Sequence, residues 1–386
     1  MTTRVLCTFA ATYAGGTLRV MTDGLPQLAR QPGIGLSFGD LYGREEVNSV
    51  FRSAGIAIAK VGVRGAPYTS VRRGMARRID RVRAFPRHCL MAHGLKRAAQ
   101  TADVLYVHTY KELLLAAWLR VPPTSAARVV WHCHGLDGVP PFCARLAGLC
   151  AGVIAISDTV AKSLRAIGVP GERIITLPNA IDVERVVTAA GSPPLAPLPA
   201  AGTAPVVLLP AASIRSDKGI HVLLQAARQV PALEVWITGD MKDPAAGEYP
   251  EQLLALSRSP ELAGRVHFLG FRADLYSVMR AADIVCVPSV YREGFGLVAA
   301  EAMALGKPLI VSNRGALPDV VHQGDAGIII DPDNTQDLTS ALQKLITDSE
   351  YARRLGADAA AYARLNFSYE KWARGTAAVL KDAARL

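Results

Sequence analysis

Short apolar runs rich in β-branched residues alternate with helical segments along most of this chain. Such runs are typical of buried strands, and the segments between them carry the spacing of amphipathic helices. This alternation favours parallel sheets joined by crossover helices, because parallel neighbours need a long connection. The predicted strands span residues 4–9, 57–61, 104–108, 128–132, 153–156, 174–177, 206–209, 234–238, 266–268, 284–287, 309–311 and 327–330.

One break in composition divides the alternation into two series. Residues 189–205 contain five prolines among small residues, which is typical of a semi-rigid linker. We therefore predict an α/β protein with two doubly wound, Rossmann-like parallel-sheet domains facing a cleft, with ligands beyond the carboxyl ends of the strands. The predicted parts are a first domain at 1–188, the linker at 189–205, a second domain at 206–366 and a closing helix at 367–386.

Composition sets further limits on partners and location. The chain of 386 residues has a net charge of +10, which favours anionic partners such as nucleoside diphosphates, lipid headgroups or nucleic acid. Zinc-finger spacings and RNP-like aromatic strings are absent from the sequence, so nucleic acid is the least supported of the three. Apolar runs stay shorter than the roughly 18 residues of a membrane helix. Six cysteines without a Cys-x-x-Cys pair favour a reducing cytoplasm.

The most informative motif lies in the second series, where Glu293 and Glu301 flank a glycine-bearing turn. The segment Glu293-Gly-Phe-Gly-Leu297 follows the predicted strand 284–287 and opens a predicted helix at 297–305. The free N–H groups of a helix N-terminus suit a phosphate, and carboxylates on either side can hold hydroxyls around a bound diphosphate. The pattern is typical of a nucleotide-sugar site; the alternative is two solvated acids on a helix face.

The full string, Glu-Gly-Phe-Gly-Leu followed by Glu-Ala-Met-Ala-Leu-Gly-Lys-Pro, resembles the donor-binding segment of family-4 retaining glycosyltransferases with the GT-B fold. The resemblance covers most of the second half of the chain and is weaker in the first half. It implies an acceptor-side first domain, a second domain that binds a nucleoside diphosphate sugar, and a last helix that crosses back. It also implies transfer of a hexose-type sugar to an acceptor hydroxyl with retained configuration, and no cofactor or essential metal ion.

The resemblance further implies a role for each residue of the string. Glu293 would hold sugar hydroxyls, and Glu301 would accept hydrogen bonds from the ribose. The donor-binding turn between them consists of Gly294, Phe295, Gly296 and Leu297. No residue is an obvious covalent nucleophile, which agrees with a front-face mechanism in which the diphosphate helps to deprotonate the attacking hydroxyl.

A second loop carries the predicted cations for the diphosphate. Lys218-Gly219 follows the strand 206–209 and resembles the family's Lys-Gly turn, so Lys218 matches the lysine that neutralises the leaving group. Ser213 occupies the position of a family arginine, and Arg215 is the predicted substitute through a shorter loop. Gly15-Gly16 resembles a glycine-rich turn whose backbone approaches the diphosphate, although an ordinary tight turn is equally compatible.

Two histidines mark the acceptor side. Strand alternation puts His132 and His134 on one face with Cys133 opposite. A metal site would need two or more further ligands, and no Asp, Glu or Cys stands out, so we predict no metal ligand. His134-Gly135 resembles the family's His-Gly turn near the reacting carbon. His134 therefore joins Lys218 and Glu293 as a candidate catalytic residue.

The segment 71–88 is strongly basic, with seven arginines and apolar residues at helical spacing. Two interpretations stay open: a helix on an anionic membrane surface, or a solvated face of a crossover helix. The first fits an enzyme of polysaccharide or glycolipid assembly at the inner face of a membrane. Two other function classes also stay open, a nucleotide-sugar 2-epimerase and a non-catalytic nucleotide-sugar-binding subunit.

Overall fold

The computed structural model describes residues 2–10, 16–63, 75–119, 127–135, 142–200 and 202–386, without the side chains of 75–85, 118 and 119. The chain forms two compact units. The first unit comprises Met1–Ala180 together with Tyr369–Leu386, and the second comprises Ile181–Ser368. Each unit is built on one parallel sheet, so the predicted α/β class with two Rossmann-like domains is confirmed.

The two sheets have the same strand order apart from one additional edge strand. The first runs β3-β2-β1-β4-β5-β6-β7 and the second runs β10-β9-β8-β11-β12-β13. In each, the order reverses beside the first strand of the unit, which creates a topological switch point. The strands are β1 Thr3–Phe9, β2 Ile34–Asp40, β3 Ala57–Ile58, β4 Val104–Val107, β5 Arg128–Cys133, β6 Gly152–Ala155, β7 Ile174–Thr176, β8 Val206–Leu209, β9 Glu234–Thr238, β10 Val266–Gly270, β11 Ile284–Val287, β12 Leu309–Ser312 and β13 Ile328–Ile330.

Helices connect successive strands, as parallel pairing requires. Short 3-10 turns lie at Gly171–Arg173, Ser216–Lys218, Pro244–Ala246 and His322–Gly324. The helices are α1 Gly16–Ala29, α2 Glu45–Ser53, α3 Met75–Ala99, α4 Tyr110–Leu119, α5 Cys143–Ala147, α6 Asp158–Ala166, α7 Val183–Ala190, α8 Ile220–Ala227, α9 Tyr249–Ser257, α10 Leu275–Ala281, α11 Leu297–Ala304, α12 Leu317–Val320, α13 Thr335–Thr347, α14 Ser349–Asn366 and α15 Tyr369–Arg385.

Strand β2 is the element that the sequence prediction missed. It pairs with β1 along its whole length, and Phe38 packs on Phe51 of α2 with ring centroids 3.9 Å apart. Two glycines and Ser37 interrupt its apolar pattern, so the run does not read as a buried strand. The predicted strand at 57–61 is correspondingly reduced to the two-residue edge strand β3.

The chain leaves the first unit eight residues earlier than the boundary predicted at 188. Helix α7 packs on α10, and both helices belong to the second unit. The predicted linker also contacts the start of α10. The Leu195 N–H donates to the Asp274 carboxylate at 2.6 Å, and Arg272 pairs with that carboxylate at 2.6 Å while both side chains are 8% exposed. These contacts fix the proline-rich segment on the second unit.

Most side chains of the basic segment 71–88 lie outside the described part of the structure, as does the backbone of residues 71–74. From Met75 onward its backbone belongs to α3, which contains Pro86, and the arginine side chains up to residue 85 are not described. Membrane contact by this segment therefore stays a prediction. Within the described part of the chain, no helix is both long and apolar enough to cross a membrane.

Candidate functional site

The main candidate site lies at the switch point of the second unit. Strands β8 and β11 are neighbours, but the chain continues from β8 to one side of the sheet and from β11 to the other. The loops after these strands diverge and leave room for a ligand at the carboxyl end of the sheet. Lys218 lies in the loop after β8 and Glu293 in the loop after β11, so both predicted residues lie at this point.

Lys218 and Glu293 form an ion pair there. The Lys218 Nζ lies 2.7 Å from Glu293 Oε1, and the Ser289 hydroxyl donates to the same oxygen at 3.1 Å. A second carboxylate, that of Asp217, lies 3.6 Å from the ammonium. The Lys218 side chain is 32% exposed and that of Glu293 is 26% exposed, so both charges are accessible to a ligand.

Gly219 brings the two loops into contact. Its φ of +68° is in the left-handed region, and a Cβ there would lie 1.9 Å from the carbonyl oxygen of Pro288. Only glycine allows this approach. The Val290 N–H donates to the Asp217 carbonyl at 3.0 Å across the same junction. The Lys-Gly turn is therefore positioned directly on the backbone that leads to Glu293.

A third loop, after β12, holds the backbone of Glu293. The Ala316 N–H donates to the Glu293 carbonyl at 2.9 Å, and the two loops form a parallel bridge at Gly315. Gly315 has φ +63°, and a Cβ there would lie 2.2 Å from the Glu293 carbonyl oxygen. The buried Ser312 hydroxyl donates to the Ser289 carbonyl at 2.6 Å. These bonds make the loop after β12 a backbone support for Glu293.

Helix α11 begins at Leu297, one residue after Gly296, and lies directly after the Glu293 loop. Phe295 is 5% exposed and packs edge-on against Phe367 with ring centroids 5.3 Å apart. This contact anchors the turn from which the helix starts. The first N–H groups of a helix have no intrahelical partner and carry partial positive charge, so this turn suits a phosphate.

Glu301 occupies a different environment from Glu293. It lies on α11, is 2% exposed, and accepts a hydrogen bond of 2.8 Å from the Tyr276 hydroxyl on α10. Sequence reasoning missed Tyr276, because it precedes Glu301 by 25 residues and belongs to no recognisable pattern. The buried carboxylate is thus held in one orientation by a neighbouring helix.

Arg215 is not part of the Lys218–Glu293 pair. The Arg215 Nε donates to Asp217 at 2.9 Å, and its side chain is 46% exposed, so it shares a carboxylate with Lys218 without touching Glu293. Ser213 pairs through its backbone with Asp240. Gly16 begins α1 in the first unit, and Gly15 lies outside the described residues.

A second cluster lies at the carboxyl ends of β4 and β5 in the first unit. His108 Nδ1 lies 3.0 Å from His134 Nε2, and the His132 and His134 rings stack with centroids 4.4 Å apart. Tyr106 bonds to His132 through its hydroxyl, and Cys7 contacts His108 through its sulfur at 3.4 Å. His108 was missed from sequence, although its position directly after a predicted strand was the signal available.

The three imidazoles are neutral at ordinary pH. Burial lowers the pKa of His134 to about 3. Burial, followed by repulsion from His134, also lowers the pKa of His108 and His132 well below the usual value. Neutral rings provide lone pairs and N–H donors, whereas protonated rings provide donors only.

Glu112 is a buried acid close to this cluster that the sequence reasoning also missed. Its carboxylate accepts from the Thr109 N–H at 2.8 Å and from the Thr8 hydroxyl at 2.6 Å, while the Glu112 N–H donates to the Thr109 hydroxyl at 3.4 Å. This reciprocal capping box, Thr-x-x-Glu, was readable from the sequence. Burial raises the pKa of Glu112 to about 8.

Two family models match this chain in succession. The model described as Glycosyltransferase Family 4 matches residues 55–185, and the model described as Glycosyl transferases group 1 matches residues 199–362. The first match lies almost wholly in the first unit, and the second lies wholly in the second unit. Together the two matches span most of both units.

Curated relatives match part of the chain. The D-inositol 3-phosphate glycosyltransferase of Rhodococcus opacus is 39% identical over 166 residues, which are 41% of this chain and 36% of the relative. The protein of the same name from Corynebacterium diphtheriae is 37% identical over 177 residues, which are 44% of this chain and 40% of the relative. The match therefore spans less than half the length of these relatives.

Solved structures match over nearly the whole chain. Anabaena HepE, solved in complex with UDP and glucose, aligns with a TM-score of 0.73 and 21% identity over 98% of this chain and 99% of that chain. A glycosyltransferase from Rickettsia africae aligns with a TM-score of 0.78 and 16% identity over 99% and 98%. These similarities establish the fold. The second family model covers the segment that contains Glu293 and Glu301. The chain is therefore a member of the family-4 glycosyltransferases with the GT-B fold.

Proposed function

We propose that this protein transfers a hexose-type sugar from a nucleoside diphosphate sugar to an acceptor hydroxyl with retained anomeric configuration. The observation that carries the proposal is the Lys218–Glu293 pair of 2.7 Å at the switch point of the second unit, beside the start of α11. A cation, a carboxylate and a helix N-terminus converge there. These groups are complementary to a diphosphate that carries a hydroxyl-rich sugar.

Lys218 is assigned to the diphosphate. Negative charge on the leaving group grows as the bond from the diphosphate to the sugar breaks, so a fixed ammonium stabilises the transition state more than the bound donor. The N–H groups at the start of α11 act in the same direction. Because Lys218 is paired with Glu293 in this structure, an incoming diphosphate would exchange the carboxylate for phosphate oxygens or share the cation with it.

The two glutamates are assigned different ligands because their surroundings differ. Glu293 is accessible and is assigned to sugar hydroxyls, which leave and enter the site with each turnover. Glu301 is buried and held by Tyr276, and it is assigned to ribose hydroxyls, which need an acceptor in a fixed orientation. His134 and Gly16 belong to the first unit, and only the family resemblance assigns them to the reaction.

The relatives direct the choice of substrates. HepE has been solved with UDP-glucose, and the curated relatives are named for D-inositol 3-phosphate. UDP-glucose and D-inositol 3-phosphate are therefore the first donor and acceptor to test here. A role in polysaccharide or glycolipid assembly at the inner face of a membrane, and a reaction that needs no metal ion, belong to the same proposal.

The decisive experiment is a transfer assay with EDTA present. The protein is incubated with UDP-, GDP- and ADP-sugars and with D-inositol 3-phosphate or a cell extract as acceptor, and the anomeric centre of the product is assigned by NMR. A glycosylated product with the donor's configuration supports the proposal. An isomerised donor would indicate a 2-epimerase instead, and nucleotide-sugar binding without turnover would indicate a non-catalytic subunit.

A further inference from the structure

We propose that His108, His132 and His134 form a binding site for a zinc ion in the first unit. One nitrogen from each of the three imidazoles lies within 4.8 Å of those from the other two. Zinc binds neutral imidazole nitrogens, and three protein ligands with one open position are an established arrangement for this ion. The sequence prediction was that a metal site needs two or more ligands besides His132 and His134; the structure supplies one of them, His108, which suffices for a site with three protein ligands.

The distances within the cluster are near those of a zinc site. Two nitrogens bound to one tetrahedral zinc ion lie about 3.3 Å apart. His108 Nδ1 and His134 Nε2 are 3.0 Å apart, so they need little movement to share an ion. The ligand nitrogen of His132 lies within 4.8 Å of those of the other two rings.

The outward-facing nitrogens of two rings are already held by other groups. The Cys7 sulfur contacts His108 Nε2 at 3.4 Å, and the Tyr106 hydroxyl bonds to His132 Nδ1. This leaves His108 Nδ1 and His132 Nε2 to face the centre of the cluster. Zinc-binding histidines usually have their second nitrogen fixed in this way, because the bond sets both the tautomer and the orientation of the ring.

Two buried nitrogens of the cluster lack a hydrogen-bond partner among the described residues. They are His132 Nε2 and His134 Nδ1. Buried polar atoms are nearly always paired, so an unpaired one calls for a ligand or a special role. A zinc ion on His132 Nε2 would supply the missing interaction, and the open coordination position would take a water molecule. No step of the sugar-transfer proposal requires the ion, but the two proposals share His134, so the test measures zinc binding and not turnover.

The test is a zinc titration of EDTA-treated, desalted full-length protein by isothermal calorimetry. We expect one zinc ion per chain, and binding at least about tenfold weaker in His134→Gln, whose ring is partly exposed and therefore tolerant of replacement. His93→Gln, an exposed histidine on α3, is the matched control and should bind as the wild type does. Tyr106→Phe removes only the group that holds His132 and should weaken binding by about tenfold.

A crystal grown with zinc chloride provides a test that needs no variant. An anomalous peak at the zinc edge within about 2.1 Å of a nitrogen from each of the three rings supports the proposal. Wild-type protein that takes up no zinc, or a His134→Gln variant that binds zinc as tightly as His93→Gln, would overturn it. A peak at any other group of residues would overturn it as well.

Discussion

The two units carry chemically different groups at the carboxyl ends of sheets that share one strand order, displaced by one strand from each other. In the second unit, the loops beyond β8 and β11 present an accessible ion pair, Lys218 with Glu293. In the first unit, the residues beyond β4 and β5 are neutral imidazoles, buried or half-buried, that contact one another. The strand order is shared, so the difference lies in the loops and not in the scaffold. Fold similarity alone therefore does not indicate which unit performs which chemistry.

The difference follows from how much water each cluster keeps. The charged side chains of Lys218 and Glu293 are about one-quarter to one-third exposed, so they stay solvated and can bind a charged ligand. Histidines moved away from water lose their proton, because burial penalises the charged form. The second unit therefore presents a solvated cation, which our proposal assigns to the diphosphate, and the first offers lone pairs and N–H groups.

The largest expected effect tests the charged side of this comparison. Lys218→Ala should lower kcat for sugar transfer by about 100- to 1000-fold, because the leaving diphosphate loses its cation in the transition state. Steady-state kinetics with UDP-glucose measures this fall in kcat. Lys242→Ala, an exposed lysine in the same unit, is the control and should retain wild-type turnover. Near-normal turnover in Lys218→Ala would remove its assigned role.

The second prediction concerns the loop that holds Glu293. Gly315→Ala should lower the free energy of unfolding by about 1–3 kcal/mol, since the new Cβ meets backbone atoms and the left-handed conformation disfavours alanine. Gly264→Ala is a matched control, with φ +81° but no atom within 4 Å of the added Cβ. Urea titration should show a smaller loss for Gly264→Ala. Equal losses of unfolding free energy in the two variants would mean that Gly315 does not pack closely on the Glu293 backbone.

The third prediction tests the neutral side through Glu112. Its pKa is about 8 in the folded protein against 4.5 for the free group, so the folded state keeps a proton that the unfolded chain releases. Between these values the free energy of unfolding should therefore fall as pH rises, by up to about 1.4 kcal/mol per pH unit. Glu112→Gln keeps the capping box and should remove this slope.

Urea titrations of wild type and Glu112→Gln across that pH range measure the difference. Glu350→Gln, which replaces an exposed carboxylate in the first turn of α14, serves as the control and should keep the wild-type slope. Parallel curves for wild type and Glu112→Gln would show that the buried acid does not retain its proton.

The smallest expected effect concerns Tyr276. Loss of its hydroxyl in Tyr276→Phe should weaken UDP binding about three- to tenfold, by releasing the Glu301 carboxylate from its orientation. The effect should shrink for UDP that lacks the ribose hydroxyls, and kcat should change less than KM. Tyr351→Phe, on α14, is the control and should bind UDP as the wild type does. An equal loss for both nucleotides in calorimetry would show that Tyr276 does not act through Glu301.

The sequence predicts the second unit better than the first for a physical reason. Glu293, the glycine turn and Glu301 lie within one short segment, and Gly296 marks a backbone position, with φ +94°, that other residues disfavour. In the histidine cluster, His108 after β4 contacts His134 after β5 across 26 residues, and Tyr276 contacts Glu301 from another helix. Periodicity reports burial within one element and carries no information on which elements meet. The sequence prediction missed strand β2 because its glycines interrupt the periodic pattern of apolar residues.

The placement of α15 sets the order in which the protein becomes complete during synthesis. Trp372 on this helix is 1% exposed and packs against Gly24 of α1, where a Cβ would lie 2.8 Å from the indole. The ribosome must translate the whole second unit before this helix emerges, which takes on the order of ten seconds. Throughout that interval the first unit lacks Trp372, and the surface of α1 around Gly24 stays without its cover.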